Sequence, residues 1–306
     1  MFLYIYMIDG SLLQDLIEKP EDISKLNLDD IVQILREARS LFENENLLLE
    51  FKLGETEELY VIGDIHGNLQ SLLKLIELIN KNNPKLVLFL GDIVDRGPKQ
   101  IECLIYVLIL KILKPQRFYV LRGNHETLEM NQAYGFYYEF SQKFNNFEAY
   151  KEILAVYDAL PICSLINNEI LCLHGGIPED FDILKKLKGI TPKDIDDSTL
   201  DSIAPGVFQI MWNDPKPGLG GFMRSYRGPG IKFFGQEVFN KFLAENNLKY
   251  VIRAHECFPE GYVWFFNYRL LSIFSSANYR GDFSPNPASY AIVKNNDIIP
   301  KNIELL

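Results

Sequence analysis

The chain contains four histidines, and each follows a short apolar run that is typical of a β-strand. The segments are VIGDIHGN, VLRGNHE, CLHGG and VIRAHE, and they carry His66, His125, His174 and His255. A fifth segment of the same kind, FLGDIVDRG, ends in acidic residues instead. A single Asp-x-His or Gly-Asn-His sequence is more often an ordinary turn. Five such segments that use every histidine of the chain indicate one functional site, because the carboxyl ends of strands in an α/β sheet meet in one crevice.

The polar residues of these segments could bind divalent metal ions. They offer carboxylate oxygens, an amide oxygen and imidazole nitrogens without a thiolate: Asp64, His66, Asp92, Asn124, His174 and His255. This mixture favours manganese, iron or zinc over calcium. Six donors are more than one small cation takes while it also holds water and substrate. We therefore expect two ions that share one carboxylate, since ions ~3.5–4 Å apart can hold both the nucleophile and the leaving oxygen of a phosphate ester.

Composition narrows the classes of protein that this chain can be. Of its 306 residues, 47% are apolar, and the net charge of -10 argues against a nucleic-acid surface. The four cysteines show no C-x-x-C spacing, which favours reduced thiols in an intracellular protein. The opening MFLYIYMIDG lacks the basic flank of a signal peptide and is interpreted as a packing segment or strand. We expect a cytoplasmic protein with neither a membrane nor a nucleic-acid partner.

Periodicity indicates a strand-helix repeat in the first half of the chain. LNLDDIVQILREARSLFENENLLLEF predicts one or two amphipathic helices, and IECLIYVLILKILK predicts a buried helix. The strands ELYVIGD, KLVLFLGD and RFYVLRGN each precede a predicted helix. This order is typical of a largely parallel sheet. We expect a single domain, residues 1–306, in which an N-terminal helical segment (1–53) packs on the core (54–300).

The second half is more irregular. Two aromatic helices, in YGFYYEFSQKF and FEAYKEILAVYDAL, precede a predicted hairpin that turns at Asn167 and Asn168. Residues 190–230 are rich in Pro, Gly and Asp and predict irregular loops. The last segments, YVIRAHE, GYVWFFNYRLLSIFSS and ASYAIVKNNDII, predict strands.

Taken in order, the runs GDIHGN, GDIVDRG, LRGNHE, LHGG and RAHE resemble the metal-dependent phosphoprotein phosphatases, a family that includes the eukaryotic protein phosphatases 1, 2A and 2B. The likeness covers about residues 26–293, because MWNDP, YRGPGIKFFG and FSSANYRGDF also match later family signatures. The resemblance implies a calcineurin-like metallophosphoesterase fold of the α/β class, a central β-sandwich flanked by helices with two metal ions at its edge.

The resemblance also implies a role for each metal-binding candidate. Asp64 and His66 would bind one ion, Asn124, His174 and His255 the other, and Asp92 would bridge them. Manganese is the expected metal, with iron and zinc as alternatives. On this assignment the two ions would supply an activated water near neutral pH for in-line attack on phosphorus.

Charged residues next to the ligands could bind phosphate and move a proton. A guanidinium matches phosphate oxygens, which suggests a phosphate clamp formed by Arg96 and Arg122. The resemblance adds Arg227 and Tyr279 to the clamp. It also makes His125 the general acid for the departing oxygen, oriented by Asp95.

Structural alternatives exist for several of these residues. Arg96 could instead pair with Asp92 or Asp95, Tyr279 could belong to the core, and Asp214 could cap a loop.

The chain departs from the family pattern at three positions of the site. Glu256 stands where a glutamine usually follows the last histidine. In SSANYRGDF, Ala277 and Arg280 replace the proline and cysteine of the eukaryotic enzymes. The chain is interpreted as a bare catalytic core of the microbial type, in which regulatory subunits are possible but not indicated.

Three functions are compatible with these motifs to different degrees. The first is a serine/threonine protein phosphatase that acts on phosphoprotein substrates. The second is a hydrolase of dinucleoside polyphosphates or other small phosphate esters, because these enzymes share the first three motifs. The third is a catalytically silent scaffold, which the intact set of metal donors, arginines and acid argues against.

Overall fold

The structure, a computed structural model, describes residues 8–281 and 285–303. The expectation for the opening MFLYIYM falls outside the described residues. Within these ranges no helix is both long and apolar enough to span a bilayer.

The helices are α1 (Gly10–Glu18), α2 (Leu28–Phe42), α3 (Leu69–Asn82), α4 (Gln100–Leu113), α5 (Leu128–Tyr134), α6 (Phe136–Phe144), α7 (Phe147–Ala159), α8 (Ile183–Leu187), α9 (Asp197–Trp212) and α10 (Gln236–Glu245).

The first sheet contains the strand-helix repeat that the sequence predicts. Its strands are β2 (Glu58–Ile62), β3 (Leu86–Phe89), β4 (Phe118–Val120), β13 (Ala288–Lys294) and β14 (Asp297–Ile303), in the order β14-β13-β2-β3-β4. β2, β3 and β4 are parallel, whereas β13 is antiparallel to β2 and to β14. Helices α3 and α4 connect the parallel strands, as expected for crossover units.

The second sheet is mixed and carries the predicted hairpin. Its strands are β1 (Leu48–Phe51), β5 (Cys163–Ile166), β6 (Ile170–Leu173), β10 (Tyr250–Arg253), β11 (Tyr262–Phe265) and β12 (Leu270–Ile273), in the order β1-β5-β6-β10-β12-β11. β5 and β6 are antiparallel, and Asn167 and Asn168 between them have φ of 52° and 57°. Three residues, 167–169, separate the paired Ile166 and Ile170. Asparagine tolerates the left-handed backbone, and the predicted hairpin at Asn167 and Asn168 is confirmed.

The two sheets pack face to face, and helices cover both outer faces. Side chains from both sheets, such as Val61, Cys172 and Ile252, share one apolar core. Alternate residues of the first sheet, such as Tyr60, face a core with α1 to α7, while α8, α9 and α10 cover the second sheet. Strands buried on both faces are apolar throughout, which explains runs such as LVLF. The predicted β-sandwich flanked by helices is confirmed.

Two predictions about local structure are wrong. The helix predicted in LNLDDIVQILREARSLFENENLLLEF ends at Phe42, and Leu48–Phe51 forms β1, which pairs with β5. Three of the four residues of β1 are buried, so this segment has no polar helical face. β1 is thus a strand of the second sheet, although it precedes residue 54.

The second error concerns residues 190–230, where loops were predicted. Asp197–Trp212 forms α9, which begins where the Asp196 side chain accepts a hydrogen bond from the backbone of Thr199. Pro205 and Gly206, which suggested a loop, lie within this helix. Gly206 packs closely on Ile183, since a Cβ there would lie 2.7 Å from Ile183 Cδ1 and that side chain would have to move. A small third sheet follows, from β7 (Asp214–Pro215), β8 (Phe222–Arg224) and β9 (Lys232–Phe234).

Candidate active site

The predicted metal ligands all lie at the carboxyl ends of strands, where the two sheets meet. Each is buried, and together they follow five strands: Asp64 and His66 after β2, Asp92 after β3, Asn124 after β4, His174 after β6 and His255 after β10. The first sheet therefore supplies four candidate ligands and the second sheet two.

Glycines allow the loops after β3 and β4 to approach each other closely. Gly91 has φ of 103°, and a Cβ there would lie 2.3 Å from the backbone nitrogen of Gly123. A Cβ at Gly123 would in turn lie 2.2 Å from Asp92 Oδ1. Side chains at either glycine would push Asp92 out of place.

Asp92 occupies the centre of the cluster. Its Oδ2 lies 3.3 Å from His174 Nε2 and 3.7 Å from His66 Nε2. Two groups of potential metal ligands, each with donor atoms within 4.8 Å of one another, both contain this residue: His66, Asp92 and His125, and Asp92, His174 and His255. A carboxylate common to both groups is what a bridging ligand requires.

Backbone carbonyls fix the orientation of two imidazole rings. His66 Nδ1 lies 2.9 Å from the Val94 oxygen, and His174 Nδ1 lies 2.9 Å from the Leu90 oxygen. With Nδ1 donating to a carbonyl, the other nitrogen of each ring is left as an acceptor that can bind a metal ion. His174 Nε2 accordingly faces Asn124 Oδ1 at 2.9 Å and His255 Nδ1 at 3.2 Å.

His125 and Asp95 form a hydrogen-bonded pair beside the cluster. His125 Nδ1 lies 2.7 Å from Asp95 Oδ2. Burial alone would lower the pKa of His125, but the negative charge of Asp92 and the hydrogen bond to Asp95 raise it above the usual value. His125 Nε2 points the other way and lies 4.0 Å from Asp92 Oδ2. The ring can therefore carry a proton at Nε2 next to the ligand cluster.

Two residues of this arrangement were missed by the sequence analysis. Buried Asn131 donates from Nδ2 to Asp95 Oδ2 at 3.0 Å and to the His125 oxygen at 2.7 Å. Its Oδ1 accepts from the Tyr150 and Tyr157 hydroxyls. The only sequence signal for Asn131 is a polar residue on a helix that directly follows the LRGNHE motif.

Glu126 is the second missed residue. Its carboxylate accepts hydrogen bonds from the backbone nitrogens of Asp92, Ile93 and Gly123, at 2.8, 3.0 and 2.8 Å. It thereby ties the loop after β3 to the loop after β4. Its place in LRGNHE, next to His125, was the available signal.

The backbone is in an unusual conformation at several of these positions. His66, Asp92, Asp95, Arg96 and His255 have φ between 47° and 72°. Bulky residues in this left-handed region cost ~1–3 kcal/mol each and are retained at functional sites. This local strain is concentrated where the ligands and their neighbours must point into the cavity.

A cavity of about 510 Å³ opens over the cluster. Its lining combines metal-ligand candidates with His125 and with three of the four predicted phosphate-binding residues: Arg96, Arg227 and Tyr279. The Arg96 guanidinium lies 4.0 Å from the ring centre of Tyr134, and Tyr279 stacks on His66 with ring centres 5.1 Å apart. Cations, a proton donor and the ligand cluster thus face one cavity, as a phosphate ester requires.

Residues 58–259 match the family model described as calcineurin-like phosphoesterase. The chain belongs to this family. A solved serine/threonine phosphatase from Saccharomyces cerevisiae, described as similar to human phosphatase PP5, is 28% identical, with a TM-score of 0.78 over 92% of this chain and 91% of that one. A cold-active protein-tyrosine phosphatase from a psychrophilic Shewanella species is 17% identical, with a TM-score of 0.59 over 86% and 82% of the two chains, and shares the fold.

Calcineurin-like phosphoesterases hold divalent metal ions, and the buried donors of this chain fit such ions. Among the described residues, Asp64 Oδ2 and His255 Nε2 are buried without a hydrogen-bond partner. Burial and the nearby charge of Asp92 raise the pKa of Asp64 to about 6. Two adjacent buried carboxylates, with an unpartnered oxygen on Asp64 and an unpartnered nitrogen on His255, would be stabilised by bound cations, which offset both desolvation and mutual repulsion.

Arg122 is the one predicted phosphate-binding residue that does not line the catalytic cavity. Its guanidinium NH2 lies 3.1 Å from Asp158 Oδ1, and it contributes to a different, largely apolar cavity beside α9. Its role in phosphate binding stays a prediction that these contacts do not support.

The other two arginines have different surroundings. Arg96 forms no ion pair with Asp92 or Asp95 in the described part of the chain, so its guanidinium can face a substrate. Arg227 Nε instead donates to Asp214 Oδ2 at 2.6 Å. Asp214, a residue of β7 in the third sheet, thus also orients Arg227.

Glu256, the departure from the family pattern, is placed beside a buried arginine. Arg253, which is fully buried, lies 2.9 Å from Glu256 Oε2 through NH1 and 2.8 Å from Asp214 Oδ1 through NH2. Burial raises the pKa of Glu256 to about 7, although the charge of Arg253 opposes this effect. The extra acidic group therefore shares a buried cationic partner, Arg253, with Asp214.

Proposed function

We propose that this phosphoesterase removes phosphate from phosphoserine and phosphothreonine in proteins. The observation that carries the proposal is one cavity that holds the Asp92-centred ligand cluster, the His125–Asp95 pair and the guanidinium groups of Arg96 and Arg227. The 28% identity to the yeast serine/threonine phosphatase over 92% of the chain supports this choice of substrate.

The proposed arrangement uses the ligands as the resemblance assigns them. Asp64 and His66 would hold one ion, Asn124, His174 and His255 the other, and Asp92 both. Two bound ions would supply charge neutralisation and an activated water for attack on phosphorus. Manganese is proposed as the metal because the donor set contains oxygen and imidazole ligands without thiolate.

His125 would act on the leaving group. Its Nδ1 proton is held by Asp95, so the ring can give the proton on Nε2 to the serine or threonine oxygen as the phosphorus–oxygen bond breaks. A serine alkoxide is a poor leaving group, so protonation at this point lowers the barrier.

The two cavity arginines would bind the phosphate before reaction. Asp214 orients Arg227 through the bond to Nε, which leaves the terminal nitrogens of the guanidinium for phosphate oxygens. Arg96 lies against Tyr134 and presents its guanidinium at the same cavity. Together they would hold the ester in line with the ligand cluster.

The proposal is tested by phosphate release from a panel of substrates. Chelator-treated protein restored with manganese would be given phosphoserine, phosphothreonine and phosphotyrosine peptides and a dinucleoside tetraphosphate. We expect the fastest turnover with the first two. Faster hydrolysis of the tetraphosphate would move the function to small phosphate esters, and no turnover of any substrate would favour a scaffold.

A further inference from the structure

A second cavity of about 600 Å³ adjoins the catalytic cavity. The two cavities share four lining residues: His66, Arg96, Tyr279 and Arg280. A substrate whose phosphate lies at the ligand cluster could therefore extend into the second cavity. We call the second cavity the side cavity.

The side cavity has a positive lining on a chain with a net charge of -10. Its described lining residues include Arg96 and Arg280 and no acidic side chain. The others are His66, Tyr279 and small or uncharged residues such as Asn68 and Ser276. Such a lining favours a negatively charged group over a neutral or positive one.

The two arginines of the side cavity differ from the other arginines near the site. Arg122, Arg227 and Arg253 are each bonded to a carboxylate, at 3.1, 2.6 and 2.8 Å. Within residues 8–281 and 285–303, neither Arg96 nor Arg280 has such a partner. Their positive charges are therefore not neutralised by the described part of the protein.

Both guanidinium groups are held at the cavity by contacts with aromatic rings or a backbone oxygen. These contacts leave the positive charge of each arginine without a carboxylate partner. Arg96 lies 4.0 Å from the ring centre of Tyr134 and 5.8 Å from that of Tyr279. Arg280, the neighbour of Tyr279, donates from NH2 to the backbone oxygen of Cys257 at 3.4 Å. Both groups keep further N–H donors for an anion.

We propose that Arg280, together with Arg96, forms a subsite for a second anionic group of the substrate, either a carboxylate or a second phosphate close to the phosphate that is removed. The inference rests on the proposed function, because it assumes that a phosphopeptide occupies the catalytic cavity. It gives Arg280, the residue that departs from the family pattern, a role in specificity.

The test compares kcat/KM for three phosphothreonine peptides, with alanine, aspartate or a second phosphothreonine as neighbours. We expect the aspartate peptide to be preferred over the alanine peptide by about three- to fivefold. The doubly phosphorylated peptide should be preferred by about tenfold or more, because a phosphate accepts charge-assisted hydrogen bonds from guanidinium groups. The difference between these two arms identifies the anion.

Variants then assign the preference to Arg280. Arg280→Gln should remove it and leave kcat/KM for the alanine peptide within about twofold of wild type, whereas Arg280→Lys should keep part of it. Arg36→Gln is the matched control, since Arg36 is an exposed arginine on α2 that pairs with Glu152 and lines neither cavity. Equal preferences in wild type and Arg280→Gln would overturn the proposal.

A binding measurement separates this proposal from the proposed function. In the His125→Asn background, the affinity for the doubly phosphorylated peptide should fall about tenfold when Arg280→Gln is added. An unchanged affinity would refute the subsite even if the protein is an active phosphatase. If the affinity falls tenfold but the wild-type protein does not hydrolyse phosphopeptides, the subsite is kept and the proposed function is refuted.

Discussion

Helix α4 and the catalytic edge of the two sheets both bury charged side chains, but they balance them differently. On α4, the side chain of Lys111 is 1% exposed and bonds to Glu45 and, at 2.9 Å, to the Pro115 oxygen. Its ammonium also lies 4.3 Å from the ring centre of Tyr119. Each buried charge on α4 therefore has an opposite charge in direct contact.

At the catalytic edge, the described basic groups within 4.0 Å of the two central carboxylates are histidines, and the shortest of these contacts joins Asp92 Oδ2 to His174 Nε2 at 3.3 Å. Asp64 and Asp92 lie close together, and Asp64 Oδ2 has no hydrogen-bond partner among the described residues. Burial, with His125 next to it, lowers the pKa of His66 to about 3, so this ring does not supply a positive charge. Glu45 Oε2 and Asp64 Oδ2 both lack a hydrogen-bond partner among the described residues, but Glu45 contacts a lysine, whereas Asp64 and Asp92 are next to each other and the basic groups they contact are histidines. The divalent ions of the phosphoesterase family would balance the second negative charge at the edge.

The largest effect is expected for Asp92→Asn. Loss of the shared carboxylate removes one ligand from both groups and the central charge that the cations balance, so both metal sites should empty or weaken and turnover should fall by orders of magnitude. Elemental analysis of the purified variant measures the metal content directly. Asp158→Asn, in an exposed carboxylate paired with Arg122, is the control and should keep normal metal content. Normal stoichiometry in Asp92→Asn would refute the bridge.

His125→Asn should separate proton transfer from metal binding at the same edge. We expect turnover of a phosphoserine peptide to fall ~10²–10⁴-fold, because general acid help is worth this much. Metal content should be unchanged, since the resemblance places His125 outside the ligand set. Loss of one ion from the variant would instead make His125 a ligand, which its membership of a group with His66 and Asp92 permits.

The ion pair between Lys111 and Glu45 should affect stability differently when one partner or both partners are replaced. Lys111→Met leaves the Glu45 carboxylate buried without its cation, which should lower the free energy of unfolding by about 3–5 kcal/mol. Burial raises the pKa of Glu45 and lowers the pKa of Lys111, so each charge is already costly to bury. Adding Glu45→Leu should therefore restore most of the stability in urea denaturation, with activity unaffected. A double variant as unstable as Lys111→Met would show that the pair contributes more than it costs.

The same comparison explains how much could be predicted from sequence. At the edge, the strand-turn motifs are local, so the residues of the cluster, the strands before them and the repeat of the first sheet could all be predicted. The orientation of Arg122 could not, since its partner Asp158 lies 36 residues away and its distance from the cavity depends on tertiary packing. Pro205 and Gly206 hid α9 for a related reason, because the packing of Gly206 on Ile183 outweighs their poor helix propensity.

Residues that act through others were harder still to find. Asn131 bonds to Asp95, 36 residues earlier, and to Tyr150, 19 residues later, so no sequence window contains its contacts. The strand β1 was missed because a four-residue, mostly apolar segment fits either a helix or a strand, and pairing with β5 decides between them.

A smaller effect on catalysis than that of His125→Asn is expected for Asn131→Leu, which tests whether Asn131 is a positioning residue for the acid. Leucine has a similar volume but cannot donate to Asp95 or to the His125 oxygen, so kcat for a phosphoserine peptide should fall ~10–100-fold with little change in KM, as for other residues that orient active-site groups. Tyr157→Phe removes only a 3.2 Å bond to the same side chain and should have a much smaller effect.

The leaving group distinguishes positioning from a general loss of structure. Nitrophenolate leaves without a proton, so hydrolysis of p-nitrophenyl phosphate should be far less sensitive to both Asn131→Leu and His125→Asn than hydrolysis of phosphoserine. If Asn131→Leu slowed both substrates equally, Asn131 would support the fold of the edge as a whole. If it slowed neither in a correctly folded variant, the His125–Asp95 pair would be held in place by its remaining contacts, among them the hydrogen bond from the Phe136 backbone to Asp95.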